Sequence, residues 1–146
     1  MSDPFDLARF VGAQDPVYDR VVAELSAGRK QSHWMWFVFP QVAGLGFSAM
    51  SQRYAIGSRA EADAYLAHAV LGPRLIACTK LVLAVEGRSI HGILGAPDDA
   101  KFHSSMTLFA AVSDEPVFTA ALARYFDGAR DGATLDILAR QPGPAA

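Results

Sequence analysis

The sequence predicts an all-α protein, a compact single-domain globule of about seven or eight helices around one buried central helix. Three observations lead there. Apolar residues recur at three- and four-residue spacing along most of the 146 residues. Helix-capping residues, prolines and glycines punctuate those stretches. Clean strand alternation is nearly absent. With no break in composition, one domain over residues 1–140 is expected. The tail QPGPAA, residues 141–146, should be disordered, because nothing in it repays ordering.

The elements follow in order. Asp3-Pro4 and Asp15-Pro16 each read as a capping aspartate followed by proline at the first helical position. After the second, Val17, Val21 and Leu25 form an inward stripe that Gly28 should end. Ser58 and Glu61 have capping-box spacing, ahead of a stripe of Ala62, Tyr65, Leu66 and Ala69. Residues 71–86 carry Leu71, Leu75, Cys78, Val82 and Val85, with Ile76, Leu81 and Leu83 widening the face. A helix apolar on so much of its circumference belongs at the centre, and Gly87 should stop it. A short segment over residues 89–94 precedes Gly95, and a helix should begin near Pro97. Ser113 or Asp114 should cap the next, which carries Phe118, Leu122, Tyr125 and Phe126 up to Gly128. A last helix over residues 134–140 should pack Leu135 and Leu138.

Composition excludes several classes. A net charge of −2 provides no electrostatic pull toward polyanions, which disfavours nucleic acid as a partner, although Arg29-Lys30 lies beside an aromatic run. No stretch reaches the roughly 18 apolar residues of a membrane span, and MSDPFD lacks the features of a signal peptide, so a cytoplasmic location is expected. The single cysteine, Cys78, permits no internal disulfide and sits mid-stripe, where a thiol packs rather than reacts. No phosphate-cradling glycine loop, nucleophile elbow or paired metal ligands occur, and His33, His68, His91 and His103 are scattered; no metal or cofactor is expected.

Two segments carry candidate chemistry. SHWMWFVFPQ, residues 32–41, holds both tryptophans beside His33. On a helix or a strand this run is apolar on every side, so it must be largely buried; Ser32 is a possible cap, and Pro40 disfavours helical geometry at Phe39. His33 and Gln41 bracket it with polar ends that need hydrogen-bond partners if buried. Aromatic planes with a few polar groups compose a small-ligand site, and Trp36 can stack on a flat ring. The second segment, DDAKFHSSMTLF over residues 98–109, places Lys101 and Ser105 inside the apolar arc of a helix, with Asp98 near its middle. Asp99, Ala100, His103, Thr107 and Ala111 fall on the outward arc. Lys101 beside Asp98 makes an i,i+3 ion pair in the plainest account, with the lysine stem lying along apolar surface. In the functional account Lys101, Ser104 and Ser105 hold phosphate or carbonyl oxygens, and His33 and Lys101 are the candidate catalytic groups.

SHWMWFVFPQVAGLGFS, YAIGSRAEADAYLAHAVLGPRL and KFHSSMTLF resemble the family labelled domain of unknown function 1810, over about residues 5–138. That resemblance implies a small, mainly helical single-domain fold and no particular activity. The label calpastatin carried by some members does not suit this chain, since calpain-inhibitor segments are disordered and this composition packs. A weaker likeness, in SHWMWF and DDAKFHSSM, is to N-glycosidases of NAD and ADP-ribose metabolism, without the acidic residue those enzymes hold beside their aromatic run. The expected function is binding of a small nucleotide- or ribosyl-type ligand, extending to N-glycosidic hydrolysis, through His33, Trp36, Gln41, Lys101, Ser104 and Ser105. The alternative is a protein-interaction module that uses SHWMWF as an exposed hot spot, with a protein partner and no catalysis.

Overall fold

The computed structural model describes residues 3–141. Among them are ten helices: α1 (Ala8–Gln14), α2 (Tyr18–Ser26), α3 (Met35–Val38), α4 (Ala49–Arg53), α5 (Arg59–Ala67), α6 (Leu71–Ala84), α7 (Ile90–Leu94), α8 (Asp98–Val112), α9 (Pro116–Phe126) and α10 (Gly132–Arg140). The all-α expectation holds, with more helices than expected. α3 and α4 span only four and five residues, too short for a helical period to show in sequence. The only β feature among the described residues is an isolated parallel bridge between Val42 and Ile56.

Packing explains the order of burial. α6 packs against α2, α5 and α9, while α8 packs against α5, α7, α9 and α10. Leu71, Leu75, Cys78 and Val82 of α6 are buried as its stripe requires, but Val85 lies past the helix end and is only half-buried. Burial pushes the Cys78 thiol up to about 11, which suits an inert packing residue. α8 is the second central helix, hidden around its whole circumference from Ser104 to Phe109. Thr107, expected to face outward, is fully buried because α10 covers it; its hydroxyl accepts from the Asp131 amide at 2.9 Å.

Side-chain caps begin four of the ten helices, α4, α5, α7 and α10. The Asp3 carboxylate accepts from the Leu7 and Ala8 amides at 2.8 and 3.0 Å, but α1 starts only at Ala8 with Leu7 as its N-cap, so Asp3 is not the expected N-cap and Pro4 is not the expected first helical residue. Ser58 caps α5, accepting from the Glu61 amide at 3.1 Å, but the Glu61 carboxylate reaches the Gly57 amide rather than that of Ser58. Asp15 does not cap α2. It closes α1 with helical φ −51° and ψ −48°, a conformation an N-cap does not adopt, and its half-exposed carboxylate pairs with Arg74 at 2.8 Å. Ser113 accepts from the Glu115 amide just ahead of α9, whose N-cap is Glu115. In α10, Asp131 rather than Thr134 begins the helix, accepting from the Thr134 amide and hydroxyl. That register buries Thr134 and Leu138 and leaves Leu135 37% exposed, which corrects the expectation that Leu135 is packed.

Two glycines are dictated by geometry. Gly28 ends α2 at φ +76°, a conformation other residues adopt only with strain. At Gly72 a Cβ would lie 2.1 Å from the Leu66 carbonyl oxygen, so only glycine lets α6 leave α5 at this corner. The tail expected to be disordered begins at Gln141, whose Nε2 donates to the Gly57 carbonyl at 3.2 Å; residues 142–146 lie outside the described residues.

Candidate functional site

The stretch after α2 is organised by one carboxylate. Glu24 Oε1 accepts from the Gln31 amide (2.7 Å), the Ser32 amide (3.0 Å) and the Trp34 indole Nε1 (3.0 Å), and Oε2 accepts from the Ser32 hydroxyl (2.6 Å). Burial works against the charge on Glu24, but these donors outweigh it and lower the carboxyl from 4.5 to about 2. Ser32 is therefore a ligand of Glu24 and not a cap; Trp34 precedes α3. Deeper in, Gln14 Nε2 donates to the Phe37 carbonyl at 2.6 Å and tethers α3 to the end of α1. Phe39 leaves the helix at φ −123°, ψ 74°, outside the α region that the following proline disfavours.

The two tryptophans separate from one another. Trp34 is 1% exposed and Trp36 is half-buried. Each has a lysine ammonium 5.0 Å from its ring centroid, Lys30 over Trp34 and Lys101 over Trp36. Asp98, in the first turn of α8, joins the two lysines: Oδ2 is 2.9 Å from Lys30 Nζ and Oδ1 is 3.9 Å from Lys101 Nζ. The Lys30 amide also donates to the Ile93 carbonyl at 2.8 Å, fixing the chain after Gly28 against α7. The result is a patch of two indoles, two ammonium groups and one carboxylate.

The structure brings together only part of the sequence-derived set. Trp36 and Lys101 meet. Ser105 lies one turn beyond Lys101 on α8, fully buried, and its hydroxyl has no hydrogen-bond partner among the described residues. Ser104 belongs to a different cluster: its hydroxyl donates to the Ala100 carbonyl and to Asp131 Oδ2, both at 3.2 Å, toward α10. Helical rotation of 100° from Ser105 explains the split. His33 is exposed, and its side chain makes no hydrogen bond among the described residues. Gln41 contributes its carbonyl to the Ile56 amide at 2.8 Å beside the Val42–Ile56 bridge, a structural contact. Three members were missed as site residues, Lys30, Asp98 and Glu24. The Arg29-Lys30 pair and the position of Asp98 inside the apolar arc were the available signals; for Glu24, ten residues before Trp34, there was none.

An apolar concavity lies elsewhere. A groove of about 810 Å³ runs between the turn before α1 and the face of α5, with Phe5, Leu7, Val11 and Ala64 among its walls. None of the sequence-derived site residues lines it. Its polar members are engaged locally, Asp3 accepting from the Leu7 and Ala8 amides and His68 Nδ1 accepting from the Val70 and Leu71 amides. Chemistry therefore favours the Trp36–Lys101 patch over this groove. Among the described residues no three His, Cys, Asp or Glu side chains come together as a metal cradle. No single helix among them is long and apolar enough to cross a membrane.

Fold and site together define a single-domain helical protein with a lysine-and-tryptophan patch at the start of its most enclosed helix. The chain belongs to the family described as protein of unknown function DUF1810, which matches residues 4–138. It is also similar to the conserved hypothetical protein Rv1873 from Mycobacterium tuberculosis, known from a crystal structure. The two are 58% identical, with a TM-score of 0.94 over 95% of this chain and 100% of that one. No curated protein matches the chain. The glycosidase likeness has no counterpart in either match.

Proposed function

We propose that the chain binds a small nucleotide- or ribosyl-type ligand at the Trp36–Lys101 patch. The observation that carries this reading is the Lys101 ammonium held over a half-buried indole, with Asp98 alongside. An ordinary core would place an aliphatic side chain at that position of α8. Here the side chain is a lysine, 20% exposed, whose ammonium lies over an indole. In this role Trp36 presents an aromatic surface to a planar ring and Lys101 binds phosphate or carbonyl oxygens, with Ser105 behind it. Gln41 and Ser104 take supporting structural parts.

Hydrolysis of an N-glycosidic bond is the finer form of the proposal. His33, exposed on the turn entering α3, is its candidate acid or base. A carboxylate beside the aromatic run, missing from the local sequence, is supplied from elsewhere in the chain by Glu24 and Asp98. The interaction-module alternative needs an accessible aromatic run, and burial of Trp34, Met35 and Phe37 leaves a partner only Ser32, His33 and Trp36 of the segment to grip, one aromatic among them.

A thermal-shift panel tests the proposal, because a ligand well above its dissociation constant raises the melting temperature. Nucleotides, ADP-ribose and ribosyl phosphates should raise it, whereas free amino acids and fatty acids should not. No shift with any nucleotide or ribosyl compound, alongside capture of a defined protein partner, would transfer the role to the interaction module. For turnover, His33→Ala should slow hydrolysis by about two to four orders of magnitude.

A further inference from the structure

The two lysines do not share Asp98 equally. Lys30 Nζ is in direct contact with Oδ2 at 2.9 Å, and its side chain is 8% exposed. Lys101 Nζ is 3.9 Å from Oδ1, beyond hydrogen-bonding distance, and its side chain is 20% exposed. The single negative charge of Asp98 is taken up mainly by the more buried lysine. The triad of Lys30, Asp98 and Lys101 therefore carries a charge of +1, the Glu24 carboxylate being engaged at the Trp34 end by its own four donors, and the less compensated ammonium is that of Lys101. Beneath it, the Trp36 ring attracts the ammonium through its π face but offers no lone pair to accept a hydrogen bond. Lys101 is thus steadied from below while keeping donors for another acceptor.

This arrangement also limits Trp36. The face beneath Lys101 is already occupied, so a base cannot stack there unless the ammonium moves. Resting on the ligand class proposed above, we propose that the anionic group of the ligand, a phosphate ester on a ribosyl or nucleotide molecule, is its primary recognition element and is received by Lys101. Trp36 and Asp98 are positioning residues for that ammonium. Stacking of a base is secondary. Asp98 then has a definite sign: as a carboxylate next to the anion's place it opposes binding, and it is retained because it compensates Lys30 in its low-exposure position.

Calorimetric titrations of the full chain with adenosine 5′-monophosphate, ribose 5-phosphate and adenosine at one ionic strength test this, with the melting temperature of each variant as the control for folding. Both phosphate esters should bind at least about tenfold more tightly than adenosine, the scale of a charge-assisted contact. Lys101→Met should bring adenosine monophosphate down to the level of adenosine, while Lys101→Arg stays within a few-fold of the natural protein. Asp98→Asn should tighten both phosphate esters about two- to fivefold and steepen their salt dependence, a response that a merely structural role would not give. If adenosine binds as well as its phosphate and Lys101→Met alters neither, the inference is wrong while the ligand class stands. If none of the three compounds binds, both fall. If Asp98→Asn folds normally yet weakens the phosphate esters, Asp98 touches the ligand and is not a positioning residue.

Discussion

Trp34 and Trp36 are two residues apart, and each has a lysine ammonium 5.0 Å from its ring, yet they do opposite things. Trp34 is sealed: it is 1% exposed, its indole N–H donates to Glu24, and its ring meets Phe39 at 6.2 Å. Its lysine is held by a contact-range ion pair. Trp36 is half-buried, its indole N–H has no partner among the described residues, and its lysine is held loosely. The difference teaches that the same pair of side chains is structural where every polar group is satisfied and available where one is left over. Spacing in sequence does not distinguish them; the partners supplied by α2 and α8 do.

That contrast can be broken at several points. Trp34→Ala should cost about 3–5 kcal/mol of stability, since it opens a large cavity and strands the Glu24 acceptor. Trp36→Ala should cost only about 1–2 kcal/mol, in keeping with its partial burial. Comparable losses in chemical denaturation would show that the two indoles are not functionally divided. Next in size is Glu24. Its folded carboxyl titrates at about 2, below the 4.5 of the unfolded chain, so its contribution is present above 4.5 and is lost as pH falls from 4.5 toward 2. Glu24→Gln should lower stability near neutral pH by about 1–2 kcal/mol, after allowing for solvent screening. The gap to the natural protein should then narrow through that acid window. A constant gap from neutral pH down to 2 would mean that the glutamate acts by shape and not by charge.

The smallest effect is spectroscopic. With Trp34→Phe, the remaining emission comes from Trp36, and iodide should quench it more efficiently than caesium because Lys101 gathers anions near the ring. In Trp34→Phe combined with Lys101→Met that preference should disappear. Equal quenching by the two ions with Lys101 intact would place the ammonium away from the indole.

Much of the fold is legible because it is local. The helical class, the stop at Gly28, the Ser58 cap and the central stripe of α6 all follow from neighbours within one or two turns. The misreadings do not share one cause. Asp15 has capping chemistry but closes α1 in helical geometry and pairs with Arg74, and Thr107 sits on the polar arc of α8 but is covered by α10. Leu135 loses its place in the core because Asp131 sets an earlier helix start. For Thr107 and Leu135 a partner more than twenty residues away, or a cap chosen by tertiary fit, overrides a sound local signal. The candidate site divides the same way. Lys101 and Ser105 on the inward side of α8 are readable from a 100° step, whereas Ser104 is turned toward Asp131 and Gln41 is used through its backbone.

By itself the sequence determined that this chain is helical, that the aromatic run must be hidden, and that a lysine points inward on α8. It could do so because periodicity and capping depend on residues adjacent along the chain. Only the tertiary structure decided which tryptophan is core, that Glu24 holds the run together, and that Lys30 takes Asp98 and leaves Lys101 with the surplus charge. Those outcomes depend on distances between helices, and an ion pair or hydrogen bond changes character over about an ångström, a precision that no local pattern carries.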